Sequence, residues 1–292
     1  MSNNNNNDIV FLFMQYKFNT STIKSYWGRT LVLERIVTVK DALRQPVWVF
    51  IAGGIISTIS LAISFAIFHE SIGLFSCFLT TFAAMPFMMN LARYEESLIE
   101  SSPGLQEMNI FKRHERIIKA YCAFFAGMIL TQSIIYIILP ENIVEKVFED
   151  QLREIQRIRG SFAFGGTFFS IFLNNVSVLT LCFLFSFIYG AGAIFILSWN
   201  ASVLSTAIGM TAKSLGGWKA IPLALLTYFP HGSLEILAYF IGGIAGSLVS
   251  VSLSKRRPYK ISLILKDSME LMMVAIILLL LGAGVETILL LS

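Results

Sequence analysis

Charge is scarce in this sequence: only 14% of its 292 residues are Asp, Glu, Lys or Arg, against roughly 25% in ordinary soluble domains. Cysteine is scarcer still. Cys77, Cys122 and Cys182 all lie in apolar runs, without a CxxC pair or the short spacing of a metal site or disulfide framework, and read as packing residues. Catalytic signatures are missing too. His69-Glu70-Ser71-Ile72-Gly73 lacks the second histidine of HExxH, and no GxSxG elbow or Walker A lysine loop occurs. Gly190-Ala191-Gly192 lacks the third glycine of a dinucleotide fingerprint and any strand before it. Soluble-enzyme chemistry has no anchor here.

What the chain has in excess is hydrocarbon. Hydrophobic residues make up 55% and the mean hydropathy is +0.72, more apolar surface than a soluble core needs. At roughly 20 residues per crossing, the length suits one membrane domain of six to eight helices. The expectation is an all-α, polytopic integral membrane bundle of about seven crossings, with discontinuous helices near the C-terminus and amphipathic helices at the interface.

Read along the chain, residues 1–46 form a cytoplasmic segment, too polar for a secretory signal, with an Asn3–Asn7 run and an interfacial helix over Thr30–Gln45. Residues 47–139 hold three crossings: Val47–Phe68, Ile72–Leu91 and Ala120–Leu139. Residues 140–161 carry apolar positions at three- and four-residue steps, the period of an amphipathic helix placed outside the cytoplasm. In the remaining membrane region, 162–292, Phe162–Thr211 runs about 50 residues without one charged side chain, which suits two helices or one helix flanked by re-entrant halves. Of the 22 basic residues, 16 fall in alternate loops, and the positive-inside rule then places the N-terminus in the cytoplasm of a multi-pass protein of the cell membrane. A re-entrant pair over Asn200–Phe229 would change the parity of the last two helices. Lipids and other membrane proteins are the expected partners, with a homo-oligomer as a further option. Nucleic acid is not expected.

Polar side chains in hydrocarbon cost a few kcal/mol when ionised, so each needs a partner or a purpose. Asn174 and Asn175 lie between apolar stretches, where a cap or an interhelical hydrogen bond explains them. Asn200 follows 25 positions later. Pro230-His231-Gly232-Ser233-Leu234-Glu235 reads as a helix break at Pro230 and Gly232, and discontinuous helices often mark binding sites. His231 and Glu235 share a helical face and can pair, hold a metal with outside ligands, or pass a proton. Glu286 is a possible further polar residue, read as interfacial, while Gly242, Gly243 and Gly246 favour close helix packing. No cofactor is expected beyond a possible metal at His231 and Glu235.

In order, Ile171-Phe172-Leu173-Asn174-Asn175, Asn200 with Gly209 downstream, Pro230-His231-Gly232 with Glu235, and the Gly243–Gly246 helix resemble the stage II sporulation protein M family. The likeness covers about Phe162 to Ser292. Asn200-Ala201 departs from the family's usual Asn-Gly. In spore formers the namesake is a multi-spanning subunit that holds peptidoglycan-cleaving partners, and relatives occur in organisms that never sporulate, including archaea. The resemblance therefore implies a non-sporulation member acting as a non-enzymatic scaffold or assembly subunit. An ion or small-solute transporter or channel built on Asn174, Asn175, Asn200, His231 and Glu235 is the alternative, and an intramembrane metal enzyme a third.

Overall fold

The computed structural model describes residues 45–101, 109–162, 167–189, 192–254 and 258–291, so the expected N-terminal segment and its interfacial helix lie outside the described residues. Among the described residues nine α-helices follow one another: α1 (Pro46–Ile67), α2 (Ile72–Ser101), α3 (Ile110–Ile138), α4 (Glu141–Val147), α5 (Glu149–Phe162), α6 (Thr167–Tyr189), α7 (Ala193–Ser214), α8 (Ile221–Ser254) and α9 (Pro258–Leu291). Among the described residues there is no strand. Seven of the helices are long and apolar enough to cross a membrane, all but α4 and α5. The physical reason is plain: hydrocarbon offers the backbone no partner, and a helix satisfies its polar groups internally.

Both α7 and α8 are long and apolar enough to cross a membrane, with the turn between them at residues 215–220. Gly216 and Gly217 take φ of +115° and +86° in the link between them, a left-handed geometry that glycine adopts without strain.

The expected discontinuities do not occur at the predicted places. Asn174 and Asn175 lie within α6, Asn200 lies within α7, and α8 runs unbroken through Pro230 and Gly232. Proline removes one N–H and leaves the carbonyl four residues earlier, that of Leu226, without its helical donor. Breaking the helix in hydrocarbon would strand several such groups, so continuing is cheaper. Pro86 is carried inside α2 in the same way.

Helix α7 belongs to two groups. It packs with α2 and α3 in one group and with α6 and α8 in the other. Where α1 meets α3, a Cβ on Gly53 would lie 2.0 Å from the Phe124 carbonyl oxygen, and one on Gly127 would lie 1.9 Å from that of Phe50. These backbones touch, which only glycine permits. Gly246 does the same between α8 and α6, where a Cβ would stand 2.2 Å from the Phe183 oxygen. One apolar cluster takes Val49, Phe87, Phe124, Leu179, Phe240 and Leu279 together. The short α4 seats Val144 and Val147 against Leu61, Ile72 and Tyr136 at the ends of α1, α2 and α3, and α5 then packs on α2, α6 and α7. Near the opposite face Arg113 and Asp267 pair at 2.6 Å, tying α3 to α9.

Candidate functional site

The polar residues of the C-terminal region meet at a cavity of about 560 Å³ between α5, α6, α7, α8 and α9. Asn174, Asn175, Asn200, His231, Gly232, Glu235 and Glu286 all line it, joined by Tyr228 and Tyr239. Five separate segments of sequence thus supply one wall.

The centre is Asn175. Its side chain is buried on α6, donates from Nδ2 to Glu235 Oε1 at 2.6 Å, and accepts at Oδ1 from the Tyr239 hydroxyl at 2.9 Å. Glu235 and Tyr239 stand four apart on α8, one turn, so a single amide reads both. Asn174 is exposed and reaches only Asn175, at 3.4 Å. The asparagine pair is therefore one structural residue and one peripheral one. Asn200 donates to the Ile196 carbonyl of its own helix at 2.8 Å, taking no part in the Asn175 cluster.

The His231–Glu235 pair is not formed. Glu235 turns to Asn175, and His231 Nδ1 is buried without a hydrogen-bond partner while its ring meets Tyr228 edge to face at 6.2 Å. Sharing a helical face permits contact, but the amide across the interface competes for the same carboxyl. In place of the histidine comes Glu286, whose carboxyl interacts with that of Glu235. Gly282 makes room for this approach: a Cβ there would lie 3.3 Å from Glu235 Cγ, and Glu286, one turn on, projects from the same face of α9. Glu286 lies about 8 Å, five residues, from the end of α9 at Leu291. It lines the cavity; from sequence it is expected at the interface. Among the described residues no ion pair reaches either carboxyl, and no three His, Cys, Asp or Glu side chains gather as a metal cage.

Helix α5 walls the cavity with Ile155, Arg157 and Ile158. Outside the membrane-spanning helices, Arg157 donates to both carboxylate oxygens of Glu154, at 2.8 and 2.6 Å, which holds the Glu154 carboxyl below the ordinary carboxylate range and raises the guanidinium. The Arg157 charge is thus neutralised within α5, at the outer edge of the cavity.

A second set of polar contacts lies on the other face of α7. Ser205 Oγ donates to Gln132 Oε1 at 3.1 Å, Ser133 Oγ donates to the Ser205 carbonyl at 3.0 Å, and Gln151 Nε2 donates to Ser202 Oγ at 2.7 Å. Both glutamines are buried, Gln151 wholly. Each amide left half unpaired in such surroundings costs about 1–3 kcal/mol. Tyr239, Gln132 and Gln151 were open to the rule that singled out Asn175, since each is a polar side chain in an apolar or amphipathic segment.

A bundle of seven crossings whose last five helices enclose a polar cavity defines a polytopic membrane protein of the kind the sequence suggested. A sequence profile of the family described as Stage II sporulation protein M matches residues 121–289, from within α3 to the end of α9, and the chain belongs to that family. The likeness therefore begins earlier than Phe162, taking in most of the third crossing and the amphipathic helices. No curated protein and no solved structure matches the chain.

Proposed function

We propose that this protein handles a small cation, the proton included, at the Glu235–Glu286 pair, as a transporter or channel would. The observation that carries the reading is a cavity that penetrates the bundle as far as two facing carboxyls. Two carboxyls in an apolar wall need a positive partner, and no described side chain supplies one as an ion pair. Asn175 and Tyr239 hold Glu235 in place, and His231 offers a free ring nitrogen along the same wall. With 16 of the 22 basic residues in the loops opposite α4 and α5, the cavity opens on the non-cytoplasmic side and the N-terminus lies in the cytoplasm.

The scaffold reading, which the family resemblance favours, draws support from the charged outer face of α5, where Glu149 and Arg153 pair in the open. It leaves the cavity without a use. The deciding experiment is flux in proteoliposomes, with a pH-sensitive dye inside for protons and separate Na+ and K+ gradients. Flux above empty vesicles, abolished by E235Q and lowered by E286Q, is the expected result, because glutamine keeps the hydrogen bond and removes the charge. Native protein that is folded and passes none of these ions overturns the reading and leaves the scaffold.

A further inference from the structure

We propose a second site, for a small uncharged molecule that both donates and accepts hydrogen bonds, inside the square formed by α1, α2, α3 and α7 and closed by Gln151 of α5. It is independent of the carboxyl pair, which lies on the opposite face of α7. The evidence is a matched set of free polar ends. Gln132 and Gln151 bond to Ser205 and Ser202, three residues apart and so within one turn of α7, which brings their amides to the same level of the bundle. Each uses one end of its amide. Gln132 Nε2, a donor, and Gln151 Oε1, an acceptor, remain without partners although the two residues are 1% and 0% exposed. Reversing either assignment exchanges the donor for the acceptor and leaves the free ends in place.

The surroundings extend the polar surface. Ser76 and Thr80 on α2, and Ser198 on α7, each bury a hydroxyl oxygen with no partner, and Cys77 Sγ stands 3.7 Å from the Ser198 carbonyl, which places those two helices side by side at that level. Ser64 on α1 adds another. None of the free polar ends carries a charge, and Asp150 beside Gln151 accepts from the Leu74 N–H at 3.2 Å; a neutral hydrogen-bonding molecule, water or a small amide or polyol, matches the free donor and acceptor. Gln151 is the stopper. A Cβ on Gly73 would lie 2.1 Å from Gln151 Oε1, so α2 carries glycine where the amide passes, and α5 also walls the carboxyl cavity through Ile155.

Two measurements test this on the full chain. Cryo-electron microscopy in lipid nanodiscs, at a resolution that shows water, is expected to reveal density within hydrogen-bonding distance of both free amide ends. Isolated peaks assign water, and contiguous density assigns a retained solute. Amide ends bonded to protein atoms with nothing between them overturn the proposal. Methyl methanethiosulfonate labelling then asks whether the lane is reachable. Gln151→Ala is expected to raise Cys77 modification severalfold over the native chain while Cys182, equally buried but on α6, away from Gln151, stays unlabelled. An unchanged Cys77 rate shows that Gln151 closes nothing and overturns that part of the assignment.

Discussion

Asn174 and Asn175 are chemically identical neighbours, and replacing each in turn separates a structural amide from a bystander. Asn175→Ala deletes the donor to Glu235 at 2.6 Å and the acceptor for the Tyr239 hydroxyl at 2.9 Å. Both former partners are then stranded, Tyr239 at 3% exposure. A buried group left unpaired costs about 1–3 kcal/mol. Hydrogen bonds between helices in membranes average nearer 0.6 kcal/mol, with about 1.7 at the upper end, because the unfolded chain also finds partners there. Two such bonds at the upper end give a loss of about 3 kcal/mol. On the scaling of soluble domains, about 2–4 °C per kcal/mol, the Tm falls by about 6–12 °C. Asn174→Ala gives up one 3.4 Å contact from an exposed position and falls within about 0.5 kcal/mol of the native chain. Tyr239→Phe, which removes only a donor, belongs between them at about 1 kcal/mol. The assay is tryptophan-fluorescence thermal unfolding in one detergent, with all variants monodisperse by size exclusion. Equal shifts for the two asparagine variants, or a larger one for Asn174→Ala, would refute the assignment of Asn175 as the centre of the cluster.

His231→Ala is expected to leave the same unfolding temperature within about 1 kcal/mol of native, since no hydrogen bond of Nδ1 is lost, whereas a loss comparable to Asn175→Ala would restore the His231–Glu235 pair. Gly246→Ala drives a methyl to 2.2 Å from the Phe183 carbonyl oxygen, and the forced separation of α6 and α8 costs about 1–3 kcal/mol, while Gly284→Ala, with open space around it, is near neutral by the same measurement. Glu154→Gln removes a half-exposed pair worth under about 0.5 kcal/mol. Because Arg157 lowers the folded-state value of Glu154, that contribution is present above the ordinary carboxylate range and lost as pH falls through it; the variant and native melting curves should converge at acid pH and in high salt. A difference that grows on acidification would contradict the assigned sign.

The crossings were legible because their signal is simple. Runs such as Val47–Phe68 and Ile72–Leu91 are apolar over the full thickness of a bilayer; α1 matches the first to within a residue at each end, while α2 begins at Ile72 and runs on to Ser101. The length of the uncharged stretch Phe162–Thr211 allowed two helices or one with re-entrant halves, and the structure forms two, α6 and α7. Helix packing was legible only as a tendency. A row of small residues over Gly242–Gly246 says that something comes close, but not that Phe183 is what comes. The partners of Asn175 were beyond reach for the same reason. Its bonds cross 60 and 64 positions of sequence, whereas the spacing rules that suggested His231 with Glu235 see only one helix.

Pro230 shows where a rule learned in water changes meaning. In a soluble protein, proline inside an apolar run marks an end, because water satisfies the groups that a break exposes. In hydrocarbon the balance reverses, and α8 keeps its course with one donor missing. The carbonyl left free is that of Leu226, which lines the same cavity as His231, Gly232 and Glu235. Sequence reading therefore found the right neighbourhood through the wrong geometry: the polar feature at Pro230 is a notch in a continuous helix, and not a gap between two. What fixes the site is the arrival of α6 and α9 beside that notch. Asn175 holds Glu235 from one side, Gly282 lets α9 come close enough to present Glu286 from the other, and neither contact leaves a trace in the local pattern of α8.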